Sequence, residues 1–291
     1  MKTIFRVAVI EIARLLSLSS AAVSSFAFAW LSLSLILFPF SLYYGKAPVT
    51  DLQGVALTLL IAFGPAVLVA YFPGYAAKAF DIRFGGRRLS EREKEIIGKI
   101  EEQLEVCASD SGVKLPQIAW RVQDTGEINA YAYAHNRVCF TKGILHKYSD
   151  TQKGIERLAG IAAHEIGHLR NWDTRINMFL HYLSLPVNFG IGLMNNTLSR
   201  IPVVGFLSTA VTILLRTPSD IAHLLNESTS QPREYQADRF AAKLMNGVGI
   251  SEFLDDISHM DERKGDTFSQ WMMRSHPPTE LRHDELAKAA N

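Results

Sequence analysis

His164, Glu165 and His168, in the run Ala163-His164-Glu165-Ile166-Gly167-His168, have the types and spacing of a hydrolytic zinc site. Residues four apart share one face of a helix, so both imidazoles can grip one ion. The Glu165 carboxylate then sits where it can hold a metal-bound water, whose pKa zinc lowers from about 15.7 to about 7. Glu165 would take that water's proton and pass it to the leaving amine. A catalytic zinc also needs a third protein ligand and an open fourth position. Glu234 with Asp238, and Glu252 with Asp256, each put two carboxylates four residues apart, one to ligate and one to hold an imidazole N–H. Glu227 has no such partner, and spacing alone leaves Glu234 and Glu252 both open. With only 2 cysteines, Cys107 and Cys139, a cysteine-based zinc site and a disulfide-rich scaffold are excluded. The ligands must be histidine and carboxylate.

The motif needs a helix, and the sequence supplies one. From Asp150 or Thr151 an apolar stripe runs through Ile155, Leu158, Ile161, Ile166 and Leu169 without a proline. Upstream, Ser90 with Glu93 forms a capping box that opens a helix of about twenty residues. Pro116–Val122 and Glu127–Thr141 are rich in β-branched and aromatic residues and read as short strands, with a hairpin turn at Asn136-Arg137 inside the second. Residues 233–260 read as helix, with Phe240, Leu244 and Leu254 apolar, and Pro278 opens a last short helix. There is no internal repeat.

The 291 residues are 48% hydrophobic and 20% charged, with net charge +1, which excludes a disordered chain, an acidic tail protein and an electrostatic nucleic-acid binder. The charges are unevenly spread. None occurs between Arg14 and Lys46, or from Leu52 to Ala77, and each gap exceeds the roughly 20 apolar residues of a membrane helix. Neither has the polar face of a soluble core helix. Ala27-Phe28-Ala29 resembles a signal-peptidase site, but Glu11 and Arg14 interrupt the start and the apolar run continues to Tyr44, so an uncleaved anchor is expected. Lys2, Arg6 and Arg14 precede the first span, and Lys78, Arg83, Arg87 and Arg88 follow the second, so both ends of this hairpin are expected on the cytoplasmic side. Residues 176–199 and 201–215 are weaker apolar stretches that either form a second hairpin, lie in the interface or pack on the soluble part.

The pattern H-E-I-G-H at 164–168, then a hydrophobic insert, then E-Y-Q-A-D at 234–238, resembles the HtpX membrane zinc metalloproteases, relatives of the CAAX prenyl endoproteases. Asn129-Ala130-Tyr131-Ala132 before the motif helix, and Ser275-His276-Pro277 followed by Arg282, are similar to further elements of that family. The resemblance covers essentially the whole chain and is loosest in the first forty residues and the insert. It implies an α+β, membrane-anchored, mainly helical zincin-type (gluzincin) domain with a small sheet and two to four transmembrane helices. The organisation is then a membrane hairpin at 1–77 (spans about 15–43 and 53–73), a cytoplasmic protease domain at 78–175 and 217–291, and the insert at 176–216. The resemblance selects Glu234 as third ligand to one zinc ion per chain, with Asp238 behind it. It makes His276 a candidate donor to the oxyanion, with Arg282 orienting it or helping to bind the substrate. It also makes Asn129, Ala130 and Tyr131 a strand edge that binds extended peptide. It further implies hydrolysis of misfolded or damaged membrane proteins at the inner membrane, beside other quality-control proteins.

Topology and charge constrain the site independently of the resemblance. His164, His168 and Glu234 must share one side of the bilayer, so the insert crosses zero or two times. The charged Glu156, Arg157, Arg170 and Asp173 around the motif disfavour a site within lipid. A prenyl-protein protease needs more membrane helices than this chain offers. An inactive membrane-anchored adaptor that keeps a structural metal site is the alternative from another class.

Overall fold

The computed structural model describes residues 2–45, 51–198, 201–246 and Arg282. Along the chain these form α1 (Lys2–Tyr44), α2 (Leu52–Tyr71), α3 (Pro73–Phe84), β1 (Gly86–Arg87), α4 (Glu91–Ser111), β2 (Ala119–Gln123), β3 (Ala130–Tyr133), β4 (Arg137–Thr141), α5 (Lys142–Tyr148), α6 (Gln152–Arg170), α7 (Asp173–Leu183), α8 (Leu185–Thr197), α9 (Pro202–Ser228) and α10 (Ser230–Leu244). They divide into two units, Gly74–Arg175 with Ser230–Asn291, and Met1–Pro73 with Ile176–Thr229.

The first unit is a small sheet covered by helices. Its strand order is β1-β2-β4-β3, with β2 and β4 parallel and the other pairs antiparallel. Val122, Val138 and Phe140 point to one face and pack with Ile97, Ile100 and Leu104 of α4 and Leu158, Ile161 and Ile166 of α6. On the other face Asp81 of α3 accepts hydrogen bonds from Arg121 Nε (2.9 Å), Tyr133 OH (2.7 Å) and Arg137 Nε (3.2 Å), so one carboxylate ties three strands. The capping box is present: the Glu93 N–H donates to Ser90 Oγ and the Ser90 N–H to Glu93 Oε2. The helix it opens ends at Gly112, whose φ of 63° is the left-handed stop glycine allows. The β3–β4 turn differs from expectation. It occupies 134–136, with Ala134 at φ 54°, and Arg137 already belongs to β4. The guanidinium of Arg137 is claimed by Asp81, which requires that residue in the strand. The later half of the helix expected at 233–260, and the one at Pro278, lie outside the described residues.

Among its described residues the second unit is built of helices. Ser20 Oγ and Ser24 Oγ of α1 donate to the Pro218 and Leu215 carbonyls of α9 (both 2.6 Å), and Ser25 Oγ donates to the Ala62 carbonyl of α2 (2.9 Å). Pro218 sits inside α9 and lacks an N–H, so the helix forfeits an internal bond there. Two helices, Phe5–Tyr43 and Leu52–Tyr71, are long and apolar enough to cross a membrane. The first helix begins at Lys2, and the span expected at about 15–43 lies within it. Its charges do not stop it, because Arg14 bonds Glu11 one turn back at 2.5 Å. The expected apolar stretch 176–199 is split at Ser184 between α7 and α8. The stretch at 201–215 extends into α9, which runs on through the Arg216–Asp220 pair.

Candidate metal centre

The motif helix starts where its sequence permits. Thr151 Oγ1 accepts the Gly154 N–H at 3.1 Å, an N-cap worth about 1 kcal/mol. A Cβ at position 154 would lie 1.8 Å from the Tyr148 carbonyl oxygen, so glycine is required there. Two turns on from the middle of α6, Gly167 meets α10: a Cβ on it would lie 2.9 Å from Ala237 Cα. This small-residue contact lets the two helix backbones approach closely enough for their polar side chains to converge.

They converge on one point. His164 Nε2 and His168 Nε2 are 3.2 Å apart. Glu234 Oε2 lies 3.3 Å from His164 Nε2, and Oε1 lies 3.2 Å from His168 Nε2. One ligand atom from each of the three residues falls within 4.8 Å of the others. Ligands about 2.0–2.1 Å from a tetrahedral zinc stand roughly 3.3 Å from one another, so the donor set fits that ion. Each imidazole spends its other nitrogen on a carboxylate, His164 Nδ1 on Asp238 Oδ1 (2.8 Å) and His168 Nδ1 on Asp173 Oδ2 (2.9 Å). A proton held at Nδ1 leaves the Nε2 lone pair facing the shared point.

The electrostatics also ask for a cation. Burial pulls the His164 imidazole down, but Asp238 and Glu234 outweigh it and hold its pKa above the ordinary value. Burial acts on His168 too, and there Glu234 and Asp173 raise the pKa well above the ordinary value. Buried Asp238 takes two bonds from Arg282, Nε to Oδ2 at 2.8 Å and Nη2 to Oδ1 at 2.6 Å. Burial pushes that carboxyl up, and Arg282 with His164 pulls it well below the carboxylate range. Arg282 Nη2 also stands 3.4 Å from His164 Nδ1. That nitrogen gives its proton to Asp238, so the contact is electrostatic proximity and not a third donor bond.

Glu165 is buried beside the histidines, and its Oε2 accepts the Ala132 N–H at 2.6 Å. Ala132 is on β3, the edge strand. The Thr141 N–H donates to the Asn129 carbonyl, so residues 129, 131 and 133 turn their backbone groups toward β4, and Ala130 and Ala132 turn theirs to the open edge. Asn129 Oδ1 accepts the Ala130 N–H at 2.8 Å. The Tyr131 side chain lies on the face away from α6, its hydroxyl donating to Gln123 Oε1 at 3.0 Å and its ring edge-on to Phe84. His276 lies outside the described residues. Asp173 was invisible as a site residue in the sequence. It is five positions beyond His168, a spacing no regular helix brings onto the same face.

The pattern of peptidase family M48 matches residues 96–290, about two thirds of the chain, and the span takes in the paired histidines, Glu234 and Arg282. The chain belongs to peptidase family M48, a family of metalloproteases. It is similar to proteins called "Protease HtpX homolog". One from Bacteroides fragilis is 28% identical over 238 residues, covering 74% of this chain and 68% of the relative. One from Tropheryma whipplei is 25% identical over 263 residues, covering 80% and 84%. One from Pyrococcus abyssi is 26% identical over 239 residues, covering 71% and 78%. This is an HtpX-type protease by both its domain and its relatives.

Proposed function

We propose that the protein is a membrane-bound zinc endopeptidase of the gluzincin type that hydrolyses misfolded or damaged membrane proteins on the cytoplasmic side of the inner membrane. The observation that carries this reading is the convergence of His164 Nε2, His168 Nε2 and the Glu234 carboxylate, with Glu165 next to them. Zinc, when bound, would act as a Lewis acid on the peptide carbonyl and on the attacking water.

The chain's own residues have separate tasks. His164, His168 and Glu234 hold the ion, and Asp238 fixes the His164 ring with Arg282 fixing Asp238. Glu165 takes the proton of the attacking water and delivers it to the departing nitrogen. The Ala132 N–H holds one oxygen of Glu165 and so sets the direction of the other. The β3 segment with Asn129, Ala130 and Tyr131 lines up an extended peptide, with main-chain bonds accepted at the open edge by the Ala130 and Ala132 carbonyls, which tolerates many sequences and suits unfolded substrates. His276 stabilises the oxyanion.

The helical unit anchors the enzyme. Beyond α1 and α2, the first half of α9 exposes Val203, Phe206, Leu207 and Val211. The bonds that its Leu215 and Pro218 carbonyls accept from α1 serines support a place for it in the same bilayer. The insert at 176–216 would then form a second hairpin, which satisfies the even number of crossings.

The test compares purified wild type with Glu165→Gln on casein. Zinc in both and cleavage only in wild type is expected, with a drop of about 10²–10⁴-fold. Equal cleavage removes Glu165 as base. Zinc without cleavage in wild type favours the adaptor reading. Chelation should abolish activity and zinc readdition restore it. A cysteine-accessibility scan through Phe206, Leu207 and Val211 tests the second hairpin, and labelling of all three by an impermeant reagent would remove it.

A further inference from the structure

We infer that Asp173 is the positioning residue of the second metal histidine, holding His168 in the one tautomer and ring orientation that a zinc ion can use. The inference deepens the zinc-peptidase reading and rests on it. Asp173 Oδ2 is 2.9 Å from His168 Nδ1, and Asp173 is 4% exposed, so the contact is made out of water.

How the residue gets there is informative. On an uninterrupted helix, position 173 would stand about 140° around the axis from His168, at about 100° per residue, and could not reach the ring. The chain instead breaks after Arg170. Asn171 closes α6 by donating its N–H to the Gly167 carbonyl, and Trp172 then takes φ 66°. A left-handed conformation in a large aromatic residue costs about 1–2 kcal/mol, and residues held this way cluster at functional sites. Here it ends the helix and returns the Asp173 carboxylate to the imidazole. The Trp172 ring is held in that position by the Arg175 guanidinium, 4.7 Å from its centroid.

The two histidines are therefore supported from different elements. Asp238 of α10 backs His164 and is itself gripped by Arg282. Asp173, the first residue of α7, backs His168. Removing either carboxylate frees one ring to rotate or to move its proton to Nε2, and a protonated Nε2 cannot ligate. Support of this kind typically changes metal affinity 10–100-fold.

The experiment uses the full chain in detergent. Zinc affinity is measured by competition with a chromogenic chelator, and the visible spectrum is recorded after cobalt(II) substitution, for wild type, Asp173→Ala, Asp173→Asn, His168→Ala and the exposed control Asp110→Ala. Asp173→Ala is expected to bind zinc about 10–100-fold more weakly and to shift the cobalt spectrum. Asp173→Asn keeps an oxygen acceptor and is expected to recover most of the affinity and the wild-type spectrum. Asp110→Ala is expected to match wild type. Wild-type affinity and spectrum in Asp173→Ala overturn the inference. If that variant does not fold, Asp173→Asn decides: near-wild-type spectrum with a small affinity loss supports the inference, and a loss as large as that of His168→Ala overturns it. A wild type that binds no zinc, or binds it equally after His168→Ala, brings down the metal centre itself. That outcome differs from one in which only Asp173 proves dispensable.

Discussion

The two units differ in the polar groups they bury. The sheet-containing unit hides Ile97, Leu158, Ile161, Ile166 and Phe140, and among them the ionisable cluster of His164, Glu165, Glu234, Asp238 and Arg282. The helical unit hides Ser17, Ser24, Ser25 and Thr58 beside small alanines. Exposure is inverted as well. Among the described residues of the first unit, the exposed large apolar side chains are Tyr75, Ile82, Val106 and Trp172, whereas α1, α2 and α9 expose many. On the proposed membrane reading, the contrast teaches what each unit takes as solvent. In water, apolar burial drives packing, and a charge is buried only with partners. In lipid, an exposed leucine costs nothing, and helices associate through small residues and hydroxyls that let backbones approach.

The largest effect that would sharpen this comparison comes from deleting a buried polar partner in each unit. Asp238→Ala leaves Arg282 buried without its bidentate carboxylate and should destabilise the first unit by about 3–5 kcal/mol. Ser24→Ala removes the bond to the Leu215 carbonyl and should cost only about 0.6 kcal/mol. Denaturant melts of both variants in the same detergent give the ratio, and equal losses would erase the distinction. Next come exposed apolar positions. Leu60→Asp on α2 should raise the insertion cost by about 3 kcal/mol and deplete the protein from the membrane fraction. Val106→Asp on α4 should fall within about 0.5 kcal/mol of wild type. If Leu60→Asp is as neutral as Val106→Asp, the lipid-facing assignment of α2 is wrong.

Smaller effects separate the two close helix contacts. A Cβ at Gly167 meets the α10 backbone at Ala237, and one at Gly190 meets the Phe28 side chain at 2.5 Å. Overpacking costs about 1–3 kcal/mol at either. Only Gly167→Ala displaces the helix bearing Glu234, so only it should weaken zinc binding by chelator competition. The smallest effect is in pH. The hydrogen bond from Arg87, helped by the Ser90 N–H against burial, lowers the Glu93 carboxyl from 4.5 to about 2. Its stabilising contribution is complete above the unfolded value near 4.5 and is lost as pH falls toward about 2. Melting temperature of wild type should drop more than that of Glu93→Gln over this window, and parallel curves would deny Glu93 the role.

Much of the centre was legible because it is local. His164, Glu165 and His168 lie within one helical turn, and Glu234 with Asp238 within another, so the 3.6-residue period alone fixes which atoms share a face. The capping box at Ser90 and Glu93 is likewise a three-residue matter. The choice between Glu234 and Glu252 was not legible from spacing, since both have a carboxylate four residues on. The Gly167–Ala237 contact brings α10 against α6 and puts Glu234 at the site. The β3–β4 turn contains Asn136 as its sequence suggests but starts at Ala134 and excludes Arg137, because Asp81, far away in sequence, claims Arg137 for the strand. Tyr131 shows the same limit: its alternation with Ala130 is local, but the partners Gln123 and Phe84 that occupy its side chain are not.

By itself, then, the sequence determined the chemistry on offer. Two histidines and a carboxylate on one helix, too few cysteines for another kind of zinc site, and two long uncharged runs follow from residue type and spacing, which propagate faithfully over a turn or two of helix. Only the tertiary structure decided what surrounds that chemistry: which carboxylates back each imidazole, which backbone amide holds Glu165, and how Asp173 returns to His168. Those contacts depend on where the chain breaks and on how closely two backbones approach. Both are set by packing between elements distant in sequence.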